Sequence, residues 1–211
     1  MRRGTGHIEV LPPPNTRLQR TRWRSPLTRH PLGSPNRRFV AVAVCAVLAV
    51  SLVFGDGLLV YGKDWGFMVA EPRGWHGDTG QLAARYQTNI VFVPEAAASR
   101  KADVTIRVRV NKKADEEIAK DMEVDMAEYK RQYPAVTFSE LKVEHPKYPL
   151  VSQLFAVRGE FAEYVTYLNP GKEYPFILSV ALSKAKDEAS PDELAAYREV
   201  VASLVFSHKA A

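Results

Sequence analysis

A run of sixteen residues near the N-terminus, Phe39–Phe54, contains only one polar side chain, Ser51. Arg37 and Arg38 stand directly before this run, and Gly55-Asp56-Gly57 follows it. At about 1.5 Å per residue, a helix of this length would span roughly 24 Å, less than the ~30 Å hydrocarbon core of a bilayer. The run is therefore intermediate in length between the apolar segment of a signal peptide and a full membrane helix.

Three interpretations of this run are open. Small or medium side chains at Val53 and Gly55 would allow cleavage near Gly55, which would release the rest of the chain as a soluble periplasmic domain. Without cleavage, Phe39–Phe54 would anchor the protein in a membrane with its N-terminus inside, because basic residues favour the cytoplasmic side. The alternation of Val and Ala also fits a buried strand. The first two interpretations both predict an exported, extracytoplasmic domain.

The positive charge of the chain is concentrated in residues 1–38. Nine of the 29 basic residues and one of the 24 acidic residues lie there, so the rest of the chain has a formal charge of −3. Six prolines and little apolar periodicity predict a disordered leader. The alternatives are an arginine-rich arm that binds nucleic acid or anionic lipid, and a translation start placed too early. The slightly acidic remainder does not favour nucleic-acid binding by the folded part.

The sequence predicts three parts: a leader over 1–38, the apolar segment with a short linker over 39–59, and one folded domain over 60–208. The only cysteine, Cys45, lies within the apolar run, so no intramolecular disulfide can form. A domain of about 150 residues buries enough surface to be stable without such a bond.

Alternating side chains predict most of the domain's strands. The clearest strand is Val104–Val110, in which apolar residues face one way and Thr105, Arg107 and Arg109 face the other. Turns are predicted at Pro72-Arg73-Gly74 and at Asn169–Lys172. Strands are predicted over 65–70, 85–93, 104–110, 137–143, 151–158, 160–168 and 176–183.

Two stretches have helical periodicity. Between Asp115 and Gln132 an apolar stripe follows an acidic first turn. Near the C-terminus, Ser190, Pro191 and Glu193 form a helix start with a capping box. The element order β-β-β-α-β-β-β-β-α predicts an α+β fold with a central, mostly antiparallel sheet of about six to seven strands and two main helices.

The segment Gly66–Trp75, GFMVAEPRGW, resembles the opening strand and Pro-x-Gly-Trp turn of the PsbP-like superfamily, which includes the Ran-binding Mog proteins. The mid-chain helix and AAYREVVASLVF over 195–206 fit the same plan. The resemblance covers about 60–208 and implies an α/β/α sandwich. Members support photosystem II or bind a GTPase, and many exported bacterial members are uncharacterised. No functional residue of the characterised branches matches here, so the resemblance implies no activity.

The sequence contains no catalytic motif that we can identify and predicts no cofactor and no metal site. His76, His145 and His208 lack ligands at the usual metal-binding spacing. Three carboxylates share one face of the predicted helix, which allows calcium binding or a solvated face paired with Lys and Arg. These carboxylates are Asp121, Asp125 and Glu128.

Four residues are candidates for ligand or partner contact. Arg107 and Arg109 on one strand face predict either an anion-binding patch or ion pairs with acids of neighbouring elements. Tyr164 and Tyr167, with Tyr174, surround the Asn-Pro-Gly turn, where tyrosines suit recognition but equally fit cross-strand packing. Trp75 in its turn is interpreted as a core residue.

Without identifiable chemistry, the sequence favours a non-catalytic accessory domain that acts through a protein partner in the cell envelope. A binder of small anionic ligands at Arg107 and Arg109 is the alternative. A third possibility is an enzyme whose residues meet only in the fold, for which a cleft with His76 or His145 beside a carboxylate would be required.

Overall fold

The computed structural model of the protein describes residues 57–97, 102–113 and 115–207. This part of the chain forms ten strands and three helices. The strands are β1 (Gly57–Tyr61), β2 (Gly66–Ala70), β3 (Trp75–Asp78), β4 (Ile90–Pro94), β5 (Val104–Lys112), β6 (Thr137–Glu140), β7 (Leu150–Val157), β8 (Phe161–Leu168), β9 (Phe176–Ala185) and β10 (Val205–Ser207). The helices are α1 (Gln81–Arg85), α2 (Ile118–Gln132) and α3 (Pro191–Ser203), and a 3-10 turn covers Glu95–Ala97.

The strands form two antiparallel sheets. The larger sheet has seven strands in the order β3-β4-β5-β9-β8-β7-β6, and the smaller has the order β1-β2-β10. The central strands β5 and β9 pair over nine residues, from Val104 opposite Lys184 to Lys112 opposite Phe176. The predicted α+β fold with a mostly antiparallel sheet and two main helices is therefore confirmed.

The main core lies on one side of the seven-stranded sheet, which we call the α3 face. Here Ile106 and Leu182 from the sheet pack with Tyr197 from α3 and with Phe67 from the smaller sheet. All four side chains are fully buried. Complete burial of one such apolar side chain contributes roughly 1.5–3 kcal/mol, so this layer supplies much of the stability.

The opposite side of the large sheet, the α2 face, is covered in two places. Ile118 and Met122 of α2 pack with Phe155 of β7 and neighbouring side chains of β8 and β9. At the other end of the sheet, Ala83 of α1 packs against β4. Because the two helices leave a gap between them, the polar residues of β5 and β9 lie at the floor of an open groove. The resulting layers are α2 with α1, the large sheet, and α3 with the small sheet.

Helix α3 begins as the sequence predicts. The Ser190 side chain accepts a hydrogen bond from the Glu193 backbone amide at 3.3 Å, and Glu193 Oε2 accepts one from the Ser190 amide at 2.7 Å. Pro191 occupies the first helical position. The complete capping box is therefore confirmed.

Several local predictions are wrong in extent. The strand predicted over 85–93 exists only from Ile90 onward, as β4, because Arg85 is the last residue of α1 and a turn follows it. Asp78 Oδ1 accepts hydrogen bonds from the amides of Gly80, Leu82 and Ala83 and so stabilises the start of this helix. The strand predicted over 137–143 ends at Glu140. Strands β1, β3 and β10 were not predicted, and the first predicted strand belongs to the small sheet.

The folded domain begins earlier than position 60, since β1 starts at Gly57 and buries Leu58 against the core. The predicted leader over 1–38 and the apolar run Phe39–Phe54 lie outside the described residues, as does His208. Within residues 57–97, 102–113 and 115–207, no helix has the length and apolar character needed to cross a membrane.

Candidate functional site

The groove on the α2 face has a volume of about 340 Å³. Its floor comes from β5, β8 and β9, and its two walls come from α2 and from the turn that follows α1. Two further cavities of about 450 and 440 Å³ lie elsewhere on the described surface, at residues 140–153 and around Lys112 and Tyr174. The groove differs from both because partly buried charged and hydroxyl groups converge at its floor.

One end of the groove floor holds a connected polar network around Glu163. Arg107 and Ser183 both contact Glu163 Oε1, and the Ser183 hydroxyl donates to this oxygen at 2.7 Å. Arg107 Nη2 also reaches Ser183 Oγ at 2.6 Å. The hydroxyl of Tyr129 on α2 donates to Glu163 Oε2. The predicted alternative in which Arg107 pairs with an acid of a neighbouring element is therefore confirmed.

The network holds its members in fixed positions. The Glu163 side chain is 9% exposed, and the Arg107 side chain is 29% exposed. Burial, together with the charge of Glu163, raises the pKa of the Tyr129 hydroxyl far above its ordinary value. Tyr129 therefore stays protonated and remains a hydrogen-bond donor to Glu163 across the physiological pH range.

Arg109 occupies the same face of β5 two residues beyond Arg107, but it is not held by a carboxylate as Arg107 is. Its side chain is exposed at the groove floor, and no hydrogen bond or ion pair joins its guanidinium to another residue in the described part of the chain. Asn111 beside it donates to Ser179 Oγ at 2.8 Å. The guanidinium of Arg109 thus retains its donors for a group that enters the groove.

The α2 wall contributes a carboxylate held by a tyrosine. The Tyr167 hydroxyl donates to Asp125 Oδ2. Burial raises the pKa of the Asp125 carboxyl, and the negative charges of Glu163 and Asp121 add to that effect, while Tyr167 and Arg109 oppose it. Burial and the Asp125 charge likewise raise the pKa of Tyr167, which therefore stays protonated.

The opposite wall contains a strained backbone position. Gln87 follows α1 with φ of 51°, in the left-handed region that glycine usually occupies at this site. The amides of Gln87 and Thr88 donate to the carbonyls of Ala84 and Ala83 at 3.1 and 3.0 Å, the pattern of a Schellman helix end. A long polar side chain at this position costs stability, and strained residues concentrate at functional sites.

The four candidate contact residues separate into two groups. Arg107, Arg109 and Tyr167 all line the groove. Tyr164 lies on the α3 face, where it is 3% exposed and its hydroxyl accepts a hydrogen bond from the Ala189 amide at 3.2 Å. Because Tyr164 and Tyr167 are three residues apart on one strand, they face opposite sides of the sheet.

The tyrosines around the Asn-Pro-Gly turn therefore do not share one surface. Tyr174 packs on the α3 side, with its ring 4.7 Å from that of Phe206. Tyr164 lies in the core and Tyr167 at the groove, where it is 6% exposed. Cross-strand and core packing account for Tyr164 and Tyr174, and only Tyr167 contributes to the candidate site.

Sequence reasoning did not single out Glu163, Tyr129 or Gln87. A signal for Glu163 was present in the sequence, since it is the only charged residue of the strand Phe161–Leu168 and faces the same side as Tyr167. Tyr129 has the spacing of the apolar stripe of α2, and its ring packs against the core accordingly, but this pattern says nothing of the partner of its hydroxyl. Gln87 had no signal, because its importance depends on its backbone conformation.

The other residues considered for chemistry are engaged elsewhere. His145 Nδ1 accepts hydrogen bonds from the amides of Lys147 and Tyr148, and Nε2 lies 3.0 Å from the Leu204 carbonyl oxygen. Burial lowers the pKa of His145. Trp75 is 8% exposed and belongs to the core, as predicted. His76 Nδ1 lies 3.5 Å from Glu71 Oε1, and neither residue lines the groove.

The three helix carboxylates do not act as one set. Asp121 and Asp125 face the groove, while Glu128 accepts hydrogen bonds from Arg131 and Gln132 on the helix surface. Among the described residues, no group of three His, Cys, Asp or Glu side chains is arranged to hold a metal ion.

A scan of the sequence against models of known protein families gives no match. A search of curated proteins gives no significant match either. The resemblance to the PsbP-like superfamily therefore stays a prediction.

Proposed function

We propose that the folded domain is a non-catalytic binding domain, exported or tethered to a membrane, that takes a small ligand with an anionic group into the groove. This proposal rests on the exposure of the Arg109 guanidinium. Arg109 lies at the floor of a 340 Å³ groove with its guanidinium exposed, and no other described residue pairs with it. Clefts of about 300 Å³ and more are the usual size of small-molecule sites.

The chemistry of Arg109 supports an anionic group as the recognised part of the ligand. A guanidinium presents several N–H donors in a planar fork that matches a carboxylate or a phosphate. Lys112, the last residue of β5, also lies among the residues that line the groove. Arg107 has a different role, because its contacts with Glu163 and Ser183 hold the floor in place.

The polar groups of the groove support binding rather than catalysis. The two tyrosine hydroxyls are committed as donors to carboxylates, Tyr129 to Glu163 and Tyr167 to Asp125. Both tyrosine pKa values are raised, so neither hydroxyl is activated as a base or a nucleophile near neutral pH. Groups fixed in this way define the shape and the charge of a binding surface.

A thermal-shift experiment tests this function. Arg109→Gln removes the exposed charge of the groove, and Arg158→Gln removes an exposed arginine outside it as a matched control. Small carboxylates and inorganic phosphate at millimolar concentration should raise the Tm of the unmodified protein and of Arg158→Gln, because a ligand that binds the folded state stabilises it. Arg109→Gln should not respond. Equal responses in all three proteins, or none in any, would reject the proposal.

A protein partner in the cell envelope is the second candidate function. Met68 and Val205 pair across strands β2 and β10 on the outer side of the small sheet, and each is 38% exposed. Adjacent exposed apolar side chains of this kind suit a protein contact. A photocrosslinking residue at position 68 of the full-length protein should capture one stoichiometric partner in the native cells. The same residue at Tyr133, which is also 38% exposed and does not line the groove, serves as the control position.

A further inference from the structure

The groove carries both signs of charge, separated between two surfaces. Its cations are Arg107, Arg109 and Lys112, all on β5. Its acids are Glu163 on β8 and Asp121 and Asp125 on α2. Because the lining carries acids as well as cations, a ligand with charges of both signs complements the groove better than a purely anionic one.

The pairing of Arg107 with Glu163 leaves two charged ends facing each other. At one end is Arg109 with its free donors, and Lys112 lies near it along the same strand. At the other end is Asp125, whose Oδ2 accepts the Tyr167 hydrogen bond. No described residue donates to Asp125 Oδ1, so this carboxylate has an oxygen left for a ligand.

The register of the sheet sets the distance between these ends. Arg109 lies opposite Ser179, and Ser179 lies opposite Tyr167, so the three residues form one row across β5, β9 and β8. Neighbouring strands are roughly 4.8 Å apart, which puts the α-carbons of Arg109 and Tyr167 about 10 Å from each other. Because the Tyr167 hydroxyl contacts Asp125 on α2, Asp125 belongs to the β8 side of this row and Arg109 to the β5 side.

The floor between the two ends is suited to a short hydrocarbon chain. Ser179 lies at its centre, with Ala181 and Ile177 on either side along β9. Val124 stands at the α2 wall and is largely exposed. Methylene groups that cover Ala181 and Val124 would remove apolar surface from water, while Ile177 is already buried.

We infer that the groove binds a small zwitterion whose anionic group contacts Arg109 and whose ammonium group contacts Asp125. The two groups of the ligand are separated by a few methylene carbons that lie over Ser179. This inference rests on the proposed function, because it assigns the second half of the ligand at the same site. Oppositely charged groups at the two ends also orient the ligand in one direction.

A matched series of four five-carbon compounds tests the inference by calorimetric titration of the full-length protein. The probes are 5-aminopentanoate, glutarate, 1,5-diaminopentane and 1-pentanol. The zwitterion 5-aminopentanoate should bind more tightly than the other three compounds. In Asp125→Asn it should bind about tenfold more weakly, as expected when a charge-assisted hydrogen bond is lost, while glutarate should bind no more weakly.

Two further variants complete the design. Glu123→Gln removes an exposed acid of α2 that does not line the groove, and it should leave all four affinities unchanged. Arg109→Gln should weaken both 5-aminopentanoate and glutarate. Far-UV and near-UV circular dichroism of each variant separates a local loss of binding from a loss of fold.

The outcomes distinguish the inference from the proposed function. Glutarate binding as tightly as 5-aminopentanoate, with both depending on Arg109, would overturn the zwitterion and keep the anionic ligand. Diaminopentane as the tightest ligand would overturn both statements. Binding by none of the four compounds, together with an absent thermal response to carboxylates and phosphate, would also overturn both.

Discussion

The hydroxyl of Tyr129 donates a hydrogen bond to Oε2 of Glu163, and this contact joins helix α2 to strand β8. The other carboxylate oxygen of Glu163 takes Arg107 and Ser183. Glu163 is therefore the point at which α2, β5 and β9 are all linked to β8. Together with the Tyr167–Asp125 contact, Glu163 therefore fixes the α2 wall relative to the groove floor.

Replacing Glu163 with Gln should lower the free energy of unfolding by about 2 kcal/mol, since Arg107 would keep a partly buried charge without its counter-charge. Tyr129→Phe should cost about 1 kcal/mol through loss of one hydrogen bond. The double variant should cost less than the sum of the two, because both changes remove the same contact. Urea unfolding measures these differences. Glu160→Gln, an exposed acid in the adjacent turn, should change stability by less than about 0.5 kcal/mol.

Gln87→Gly should raise the free energy of unfolding by about 0.5–1 kcal/mol, because glycine adopts the left-handed conformation without the steric cost that glutamine bears. Lys186 has φ of 72° and lies outside the groove, so Lys186→Gly is the matched control. Both variants should unfold at higher denaturant concentration. Only Gln87→Gly should also weaken ligand binding. A loss of stability in both variants would show that the backbone at these two positions is not strained.

Asp125 should make the protein less stable as the pH rises through the acid range. Its folded pKa lies above the ordinary value of 3.8, first because the carboxyl is buried. Between 3.8 and the raised value, the folded state therefore binds more protons than the unfolded state, so this group destabilises the fold increasingly with pH. Asp125→Asn lacks the titration. The free energy of unfolding of the unmodified protein minus that of Asp125→Asn should fall from pH 3.8 upward and then level off. If this quantity instead rises with pH, the assignment is wrong.

Ser190→Ala should lower the free energy of unfolding by about 1 kcal/mol, because the first turn of α3 loses its side-chain acceptor. Glu193 also accepts a hydrogen bond from Lys184 Nζ at 2.6 Å, so the helix start is joined to β9. Thermal unfolding followed by circular dichroism measures the change. Ser139→Ala, at an exposed position of β6, is the control and should leave the Tm close to that of the unmodified protein.

The parts of the fold that local pattern determines were predictable. The alternation in β5 correctly separates Ile106 and Val108 from Arg107 and Arg109, and the capping box correctly starts α3 at Ser190. Both signals lie within a few residues of sequence. The apolar stripe of α2 is local in the same way, and Ile118 and Met122 are buried as expected. The acidic first turn predicted from Asp115 is wrong, since α2 begins at Ile118 and the three acids at 115–117 precede it.

The remaining features depend on distant contacts. Strand β10 has three residues and forms only because β2, more than 130 positions earlier, offers an edge. Helix α1 depends on one oxygen of Asp78. The candidate site is also non-local, since Arg107 meets Glu163 across 56 positions and Tyr167 meets Asp125 across 42. The periodicity of the sequence identified the strand face that carries the two arginines. It did not show that Glu163 pairs with Arg107 and leaves Arg109 exposed.

Because β2 lies between β1 and β10, the core of the domain cannot be completed before β10 has been synthesised. The hairpin of β1 and β2 is the first part of the domain to leave the ribosome, and β10 is the last described strand. Until Val205–Ser207 emerges, one edge of β2 has no strand to pair with, and α3 has only just become available to cover Phe67 and Val69. Until β10 has emerged, this exposed strand edge and the uncovered apolar side chains are open to aggregation.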